Sequence, residues 1–164
     1  MISPRIETDG NQERPTAPHT ILIADVLSKF FPRWGFGAKP IFVRGHAQTR
    51  RHALRDHLLR IGISFADRWD LPDVVAHSAT KNWLFLIEAV HSSGPISPIR
   101  LLELKRLAKE CAADMIFVTA FLTRDTFRKF APDVAWETEV WIADAPDHLV
   151  HFDGEKFLGP FKSK

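Results

Sequence analysis

The chain of 164 residues has one cysteine, Cys111, so neither an internal disulfide nor a cysteine zinc cluster can form. Its first stretch, MISPRIETDGNQERPTAP, lacks the apolar segment of a secretory signal. No apolar run reaches membrane-spanning length. These absences predict a reducing, cytoplasmic setting and no membrane partner. A Gly-rich nucleotide loop, a GxSxG elbow and an HExxH zinc motif are all missing, which disfavours a small-molecule enzyme. There is no internal repeat and no low-complexity segment. Charge of either sign is not in great excess: 22 Lys and Arg face 20 Asp and Glu, a net charge of +2 with a pI of about 8.9. Mild basicity permits nucleic-acid binding without demanding it. What is present is a globular composition, 45% apolar and 26% charged, on a length that suits one domain with a real core.

Residues 1–18 are polar, hold three prolines and show no periodicity; they are expected to form a flexible lead-in, with residues 19–164 a single domain. Thr20 is expected to cap a helix that runs to Phe31, with Ile21, Ala24, Leu27 and Phe31 on one face, and Pro32 to stop it. KPIFVRG reads as a strand near 40–44. TRRHALRDHLLRIG reads as a helix over 49–61, buried through Leu54, Leu58 and Ile61. PDVVAHS, a turn at ATKN, and WLFLIEAV read as a hairpin. Ser97 caps a helix with Pro98 in its first turn, a strong start signal, and that helix is expected to reach Ala112 with Cys111 in the core. MIFVTAF is a strand near 115–121, TRDTFRKF a short helix, and TEVWIAD and HLVHF are strands. The Asp-Gly in HFDGEKF predicts a closing hairpin. This alternation predicts an α/β fold with a mixed sheet.

One acid stands out. NWLFLIEAV, residues 82–90, is apolar on both faces except at Glu88. A buried carboxylate needs a cation, or its pKa rises until it is neutral. A tight turn centred between Thr80 and Lys81 pairs Val75 with Leu86, His77 with Leu84, and Asp73 with Glu88. Cβ atoms of directly opposed residues lie about 5 Å apart, so the two acids would repel unless a proton or cation sat between them. A hard divalent cation such as Mg2+ or Mn2+ favours such oxygen ligands. Spacing alone leaves another reading open, in which Asp73 caps a turn and Glu88 ends a strand in solvent.

Pro-Asp followed on the next strand by Glu-Ala-Val resembles the PD-(D/E)XK nuclease superfamily. The longer phrases LPDVVAHSATKNWLFLIEAVHSSGPISPIRLLEL, VTAFLTRDTFRKF and AWETEVWIADAPDHLVHFDGEKFLGP resemble the catalytic domain of BsuBI/PstI-type restriction endonucleases, over roughly residues 33–161. The resemblance implies a restriction-endonuclease-like core, a central mixed β-sheet flanked by helices. It implies a Mg2+-dependent type II restriction-like endonuclease acting on double-stranded DNA, with Mn2+ a possible substitute. Asp73 and Glu88 would be metal ligands, with the Ala89 carbonyl a further one. It also implies a homodimer, because a twofold site matches a twofold protein, and a cognate DNA methyltransferase in a phage-defence system.

Two departures qualify it. The superfamily's usual Lys, two residues after the Glu, is Val90 here, although the BsuBI/PstI-type family carries the same Glu-Ala-Val. Arg100 and Lys105, on the helix after Pro98, are the candidate replacement cations, with Glu103 beside Arg100; the plainer role for Arg100 is an exposed i,i+3 pair with Glu103. The family's further N-terminal helical region is matched here only by the short polar lead-in. Together these motivate an alternative, a catalytically impaired DNA- or partner-binding module. For DNA contact the basic face of the 49–61 helix is the candidate: Arg50, Arg51, Arg55 and Arg60. His91 is expected at the surface, His77 packed, the 92–95 loop near phosphate or a plain connection, Trp136 in the core, and Glu137 and Glu139 on one strand face.

Overall fold

The computed structural model describes residues 17–46, 51–91, 93–152 and 154. Six strands form one sheet in sequence order: β1 Lys39–Val43, β2 Val74–Ser78, β3 Trp83–Val90, β4 Asp114–Phe121, β5 Thr138–Ile142 and β6 Leu149–Phe152. β1, β2 and β3 are antiparallel neighbours, β3, β4 and β5 are parallel, and β6 returns antiparallel to β5. The sheet is therefore mixed. The Asp-Gly turn expected after β6 includes Asp153, which lies outside the described residues.

The β2–β3 register is the expected one, Val75 against Leu86 and His77 against Leu84. A short turn leaves little slack, and a slip by one residue would turn every side chain to the wrong face. Alternation then divides the core. Phe85, Ile87 and Ala89 pack with Val74, Ala76, Val118 and Trp141 under the N-terminal helices. Leu84 and Leu86 pack on the other face with Val75, Phe117, Leu58, Leu101 and Leu104. Those last three come from α3, Arg51–Arg60, and α4, Pro98–Leu107. A smaller cluster of Val90, Phe121, Val134, Val140 and Ile142 is covered by α5, Arg124–Phe130, through Phe127 and Phe130. Pro40 sits in edge strand β1 beside a bulge, where a missing N–H is tolerated.

Four expectations are corrected. The first helix starts earlier and ends later than 20–31: α1 spans Ala17–Asp25, a π-helical turn spans Val26–Phe30, and α2 spans Phe31–Trp34. Pro32 does not stop it, because Pro32 falls in the first turn of α2, where no N–H is required. The buried face is Leu22, Ile23, Val26, Phe30 and Phe31, while Ile21 is exposed. The π turn lets adjacent Phe30 and Phe31 both face inward, a departure that a 3.6-residue period does not anticipate.

α4 ends at Leu107 rather than Ala112, and half-buried Cys111 lies beyond it. The Leu107 carbonyl accepts from the Ser64 N–H at 2.9 Å, and Gly62, at φ +87°, sits so close that a Cβ would meet the Glu110 carbonyl oxygen at 2.3 Å. The loop after α3 thus occupies the space the helix would have needed. Trp136 is exposed rather than core, resting on Phe152 with ring centroids 5.5 Å apart. Glu137 does not share a strand face with Glu139: it precedes β5 in the left-handed region, at φ 61°, while its N–H donates to the Phe152 carbonyl.

Trp141 is fully buried against Phe30, and its Nε1 and that of Trp34 both donate to the Pro146 carbonyl. Trp141→Ala should cost about 3–5 kcal/mol in urea unfolding. Ile99→Ala, at a residue 72% exposed, should stay within about 0.5 kcal/mol of wild type. Equal effects would mean that the core is not where this fold puts it.

Candidate active site

Asp73 precedes β2 and Glu88 lies near the end of β3, so both stand at one end of the sheet and on the face covered by α4. The Asp73 backbone carbonyl accepts from the Arg44 N–H at 2.8 Å, extending the β1–β2 pairing by one position. Its side chain is anchored twice more: Oδ1 accepts from Arg44 Nε at 2.7 Å and Oδ2 from the Ala89 N–H at 2.8 Å. His19 of α1 places Nε2 3.3 Å from Oδ2. Burial alone would raise the Asp73 pKa. The hydrogen bonds from His19 and Ala89, with the charges of His19 and Arg44, outweigh it and hold the carboxyl below its ordinary value.

Glu88 is paired differently. Its Oε1 accepts from Arg100 Nε at 2.8 Å. Arg100 also donates through Nη1 to Glu103 at 3.0 Å and through Nη2 to the Asp70 carbonyl at 3.0 Å. So the i,i+3 pair with Glu103 and the contact with Glu88 coexist. Local sequence explains how Arg100 arrives there: Ser97 caps α4 by accepting the Arg100 N–H, and the loop before it is pinned by Ile96 N–H donating to Thr119 Oγ1 at 3.1 Å. Burial raises the Glu88 pKa most and the Asp73 charge raises it further; Arg100 and Arg44 pull it down, and the balance is about 7.

The sequence candidates thus divide. Asp73, Glu88, Ala89, Arg100 and Glu103 are brought together. Lys105 is exposed, and at five residues from Arg100 it faces well round the helix. Arg55 and Arg60 are exposed on α3, away from this contact network; Arg50 and the side chain of Arg51 lie outside the described residues. His91 is exposed, and His77 is half-buried and bonded to Asn82 at 3.2 Å. Of the 92–95 loop, Ser92 lies outside the described residues. Val90, at the Lys position, is 1% exposed within the Phe121 and Val140 cluster.

Two residues of the site were missed, His19 and Arg44. Arg44 stands opposite Asp73, one step beyond the Val43–Val74 pair, but no short turn links β1 to β2 to set that pairing from the sequence. Nothing local marked His19.

The donor set is hard oxygen. Among the described residues no group of three or more His, Cys, Asp or Glu side chains is gathered around a point that could hold a metal ion. Two carboxylates with opposed pKa shifts, one raising the other, still make a centre that favours a cation. A hard divalent cation that keeps several of its own waters would fit so sparse a set.

An acid whose folded pKa lies above its unfolded value holds its proton more tightly when folded. The contribution of Glu88 to stability is therefore greatest below the ordinary carboxylate range and is lost as pH rises through about 7, while Asp73, held below its ordinary value, contributes in the opposite direction at low pH. In EDTA, Glu88→Gln should gain stability relative to wild type between pH 5 and pH 8. Urea unfolding at both pH values checks this, and a difference independent of pH would refute the assigned Glu88 environment.

The whole architecture has known counterparts. The family described as the BsuBI/PstI restriction endonuclease domain matches residues 5–155. The type II restriction enzyme BsuBI of Bacillus subtilis is 37% identical over 144 residues, covering 88% of this chain and 46% of that protein. The type II restriction enzyme AplI of Arthrospira platensis is 32% identical over 145 residues, covering 84% of this chain and 44% of that protein. The solved structure of SdaI restriction endonuclease superposes with a TM-score of 0.77 at 36% identity, over 90% of this chain and 47% of that one. The chain spans about half the length of the curated relatives it matches. With the family match running over most of its length and the sheet shared with a restriction endonuclease, the chain belongs to the BsuBI/PstI restriction endonuclease domain family.

Proposed function

We propose that this chain is a Mg2+-dependent endonuclease that hydrolyses phosphodiester bonds in double-stranded DNA, with Mn2+ able to substitute. The observation that carries the reading is the meeting of Asp73 and Glu88 at one sheet end, each held by its own arginine. Asp73, Glu88 and the Ala89 carbonyl would hold the ion. A bound ion would supply Lewis-acid stabilisation of charge developing on the phosphate and a more acidic water. The chain does the rest. The Ala89 N–H and Arg44 fix the Asp73 carboxylate in one orientation. Arg100, oriented by Glu103 and the Asp70 carbonyl, brings a permanent positive charge where the superfamily's Lys is absent. That charge partly screens the repulsion between the acids and can meet the developing charge on the phosphate. Lys105 plays at most an outer part, as a charge on the approach. Basic residues of α3 would add salt-sensitive phosphate contacts.

The same reading extends to partners. Cutting both strands of a twofold site calls for two such centres, hence a homodimer. A restriction activity calls for a methyltransferase that protects the host's own sites. Residues 19–164 would act as one nuclease domain, in the cytoplasm where incoming phage DNA is met.

The test is a cleavage assay on unmethylated phage DNA with Mg2+ and with EDTA. Wild type should give Mg2+-dependent discrete bands. Asp73→Asn and Glu88→Gln should each lower cleavage by about a thousandfold or more, and Arg100→Gln by about a hundredfold or more, the scale on which removing one transition-state donor acts. Calorimetric titration with Mn2+ should show weakened binding in both acid variants. Binding of DNA without any cutting by folded wild type would favour the alternative, a catalytically impaired binding module.

A further inference from the structure

Two aromatic residues between α3 and β2, Phe65 and Trp69, each meet an arginine from outside that segment. The Arg55 guanidinium of α3 lies 5.8 Å from the Phe65 ring centre. The Arg44 guanidinium lies 5.2 Å from the ring centre of Trp69. Phe65 is half-buried against the core beneath α3 and α4, so it anchors its end of the loop. Trp69 is 60% exposed, an unusual position for the largest side chain.

Trp69 is nevertheless not loosely held. The Asp67 Oδ1 accepts from the Trp69 N–H at 3.2 Å, and the Asp70 Oδ2 accepts from the Asp67 N–H at 2.9 Å. Both carboxylates of this acidic turn are thereby directed onto its own backbone. The turn is also fastened to the active site from both sides. Arg100, which holds Glu88, donates to the Asp70 carbonyl; Arg44, which holds Asp73, donates to the Leu71 carbonyl. The position of Trp69 is thus tied to that of the two acids.

We infer that the 63–70 loop is a DNA-contact surface that leads from the basic α3 helix to the acids, with Arg55 touching backbone phosphate and Trp69 packing on the duplex beside the cleaved bond. The inference rests on the nuclease reading above and adds to it the path of the substrate. Arg55 supplies the charge for phosphate and Trp69 an apolar surface, while the turn's own carboxylates, Asp67 and Asp70, are engaged by backbone N–H groups. The Phe65 ring holds the Arg55 guanidinium near it by cation–π attraction, which does not use the N–H donors that can meet phosphate oxygens. The exposed part of the Trp69 indole can meet sugars and base edges, which every sequence presents.

Fluorescence anisotropy of a labelled duplex, with Ca2+ in place of Mg2+ and across a salt series, tests this. Trp69→Ala should weaken binding at least about fivefold, and Trp69→Phe should fall closer to wild type. Arg55→Gln, at an exposed position that threatens no core, should weaken binding and reduce the slope of log affinity on log salt by about one. Wild-type affinity and slope in both Trp69→Ala and Arg55→Gln, in a protein whose wild type binds and cuts DNA, would overturn the loop assignment alone. A folded wild type that neither binds nor cuts would overturn the nuclease reading and this inference with it.

Discussion

The repulsion between two carboxylates at the end of one β-hairpin is the constraint around which the rest of this molecule is arranged. Asp73 and Glu88 are set side by side by the β2–β3 register, and neither can move without breaking a ladder whose every inward residue is core. Like charges this close are tolerable only if opposite charge is brought to them. The fold brings it from two unrelated elements. Arg44 arrives from edge strand β1, and Arg100 from the first turn of α4. The two arginines then meet again on the loop between them, taking the Leu71 and Asp70 carbonyls. One small network therefore fixes the β1 edge, the α4 start and the loop at once.

Val90 shows why a cation comes from a helix and not from the strand. Residues 88 and 90 share a face of β3, so a lysine at 90 would begin beside Glu88. In this chain that position is closed off by Phe121, Val134, Val140 and Ile142, and α5 covers them. A lysine there would bury an ammonium group among apolar side chains. The sheet end has given the position to packing. Ser97 and Thr119 hold the start of α4 so that Arg100 can approach from above.

How much of this was legible depended on whether a local rule governed each part. The β2–β3 register was legible because a tight turn fixes it, and with it the approach of the two acids. The start of α4 was legible from Ser97 and Pro98, and so was the direction from which Arg100 comes. Arg44 was not found, although its register would have placed it opposite Asp73. β1 and β2 are separated by all of α3 and no short turn links them, so nothing local sets their pairing. His19 lay just ahead of where the first helix was expected to begin. The end of α4 was set by Gly62 against Glu110, a contact between distant segments. The exposure of Trp136 followed from the backbone at Glu137, where a non-glycine residue takes a left-handed conformation that composition does not announce.

The charge balance of the site also bears on what it can accept. Asp73 with Arg44, and Glu88 with Arg100, are two neutral pairs when Glu88 is ionised. Near neutral pH Glu88 is only partly so, because burial and Asp73 hold its pKa at about 7. On the proposed reading, a proton and a divalent ion would compete for this carboxylate, and the ion would gain as pH rises. Were a divalent ion bound with Glu88 fully charged, the ion, Asp73, Glu88, Arg44, Arg100 and the Glu103 that pairs with Arg100 would together carry one positive charge. That excess sits in a partly buried place where field is poorly screened. A net positive charge at the sheet end would favour an anion, such as the phosphodiester on which the proposed activity acts. On the proposed reading, the same arginines that make the acids tolerable without metal would leave the site electropositive with it, so that stability of the fold and attraction for phosphate would draw on one set of contacts.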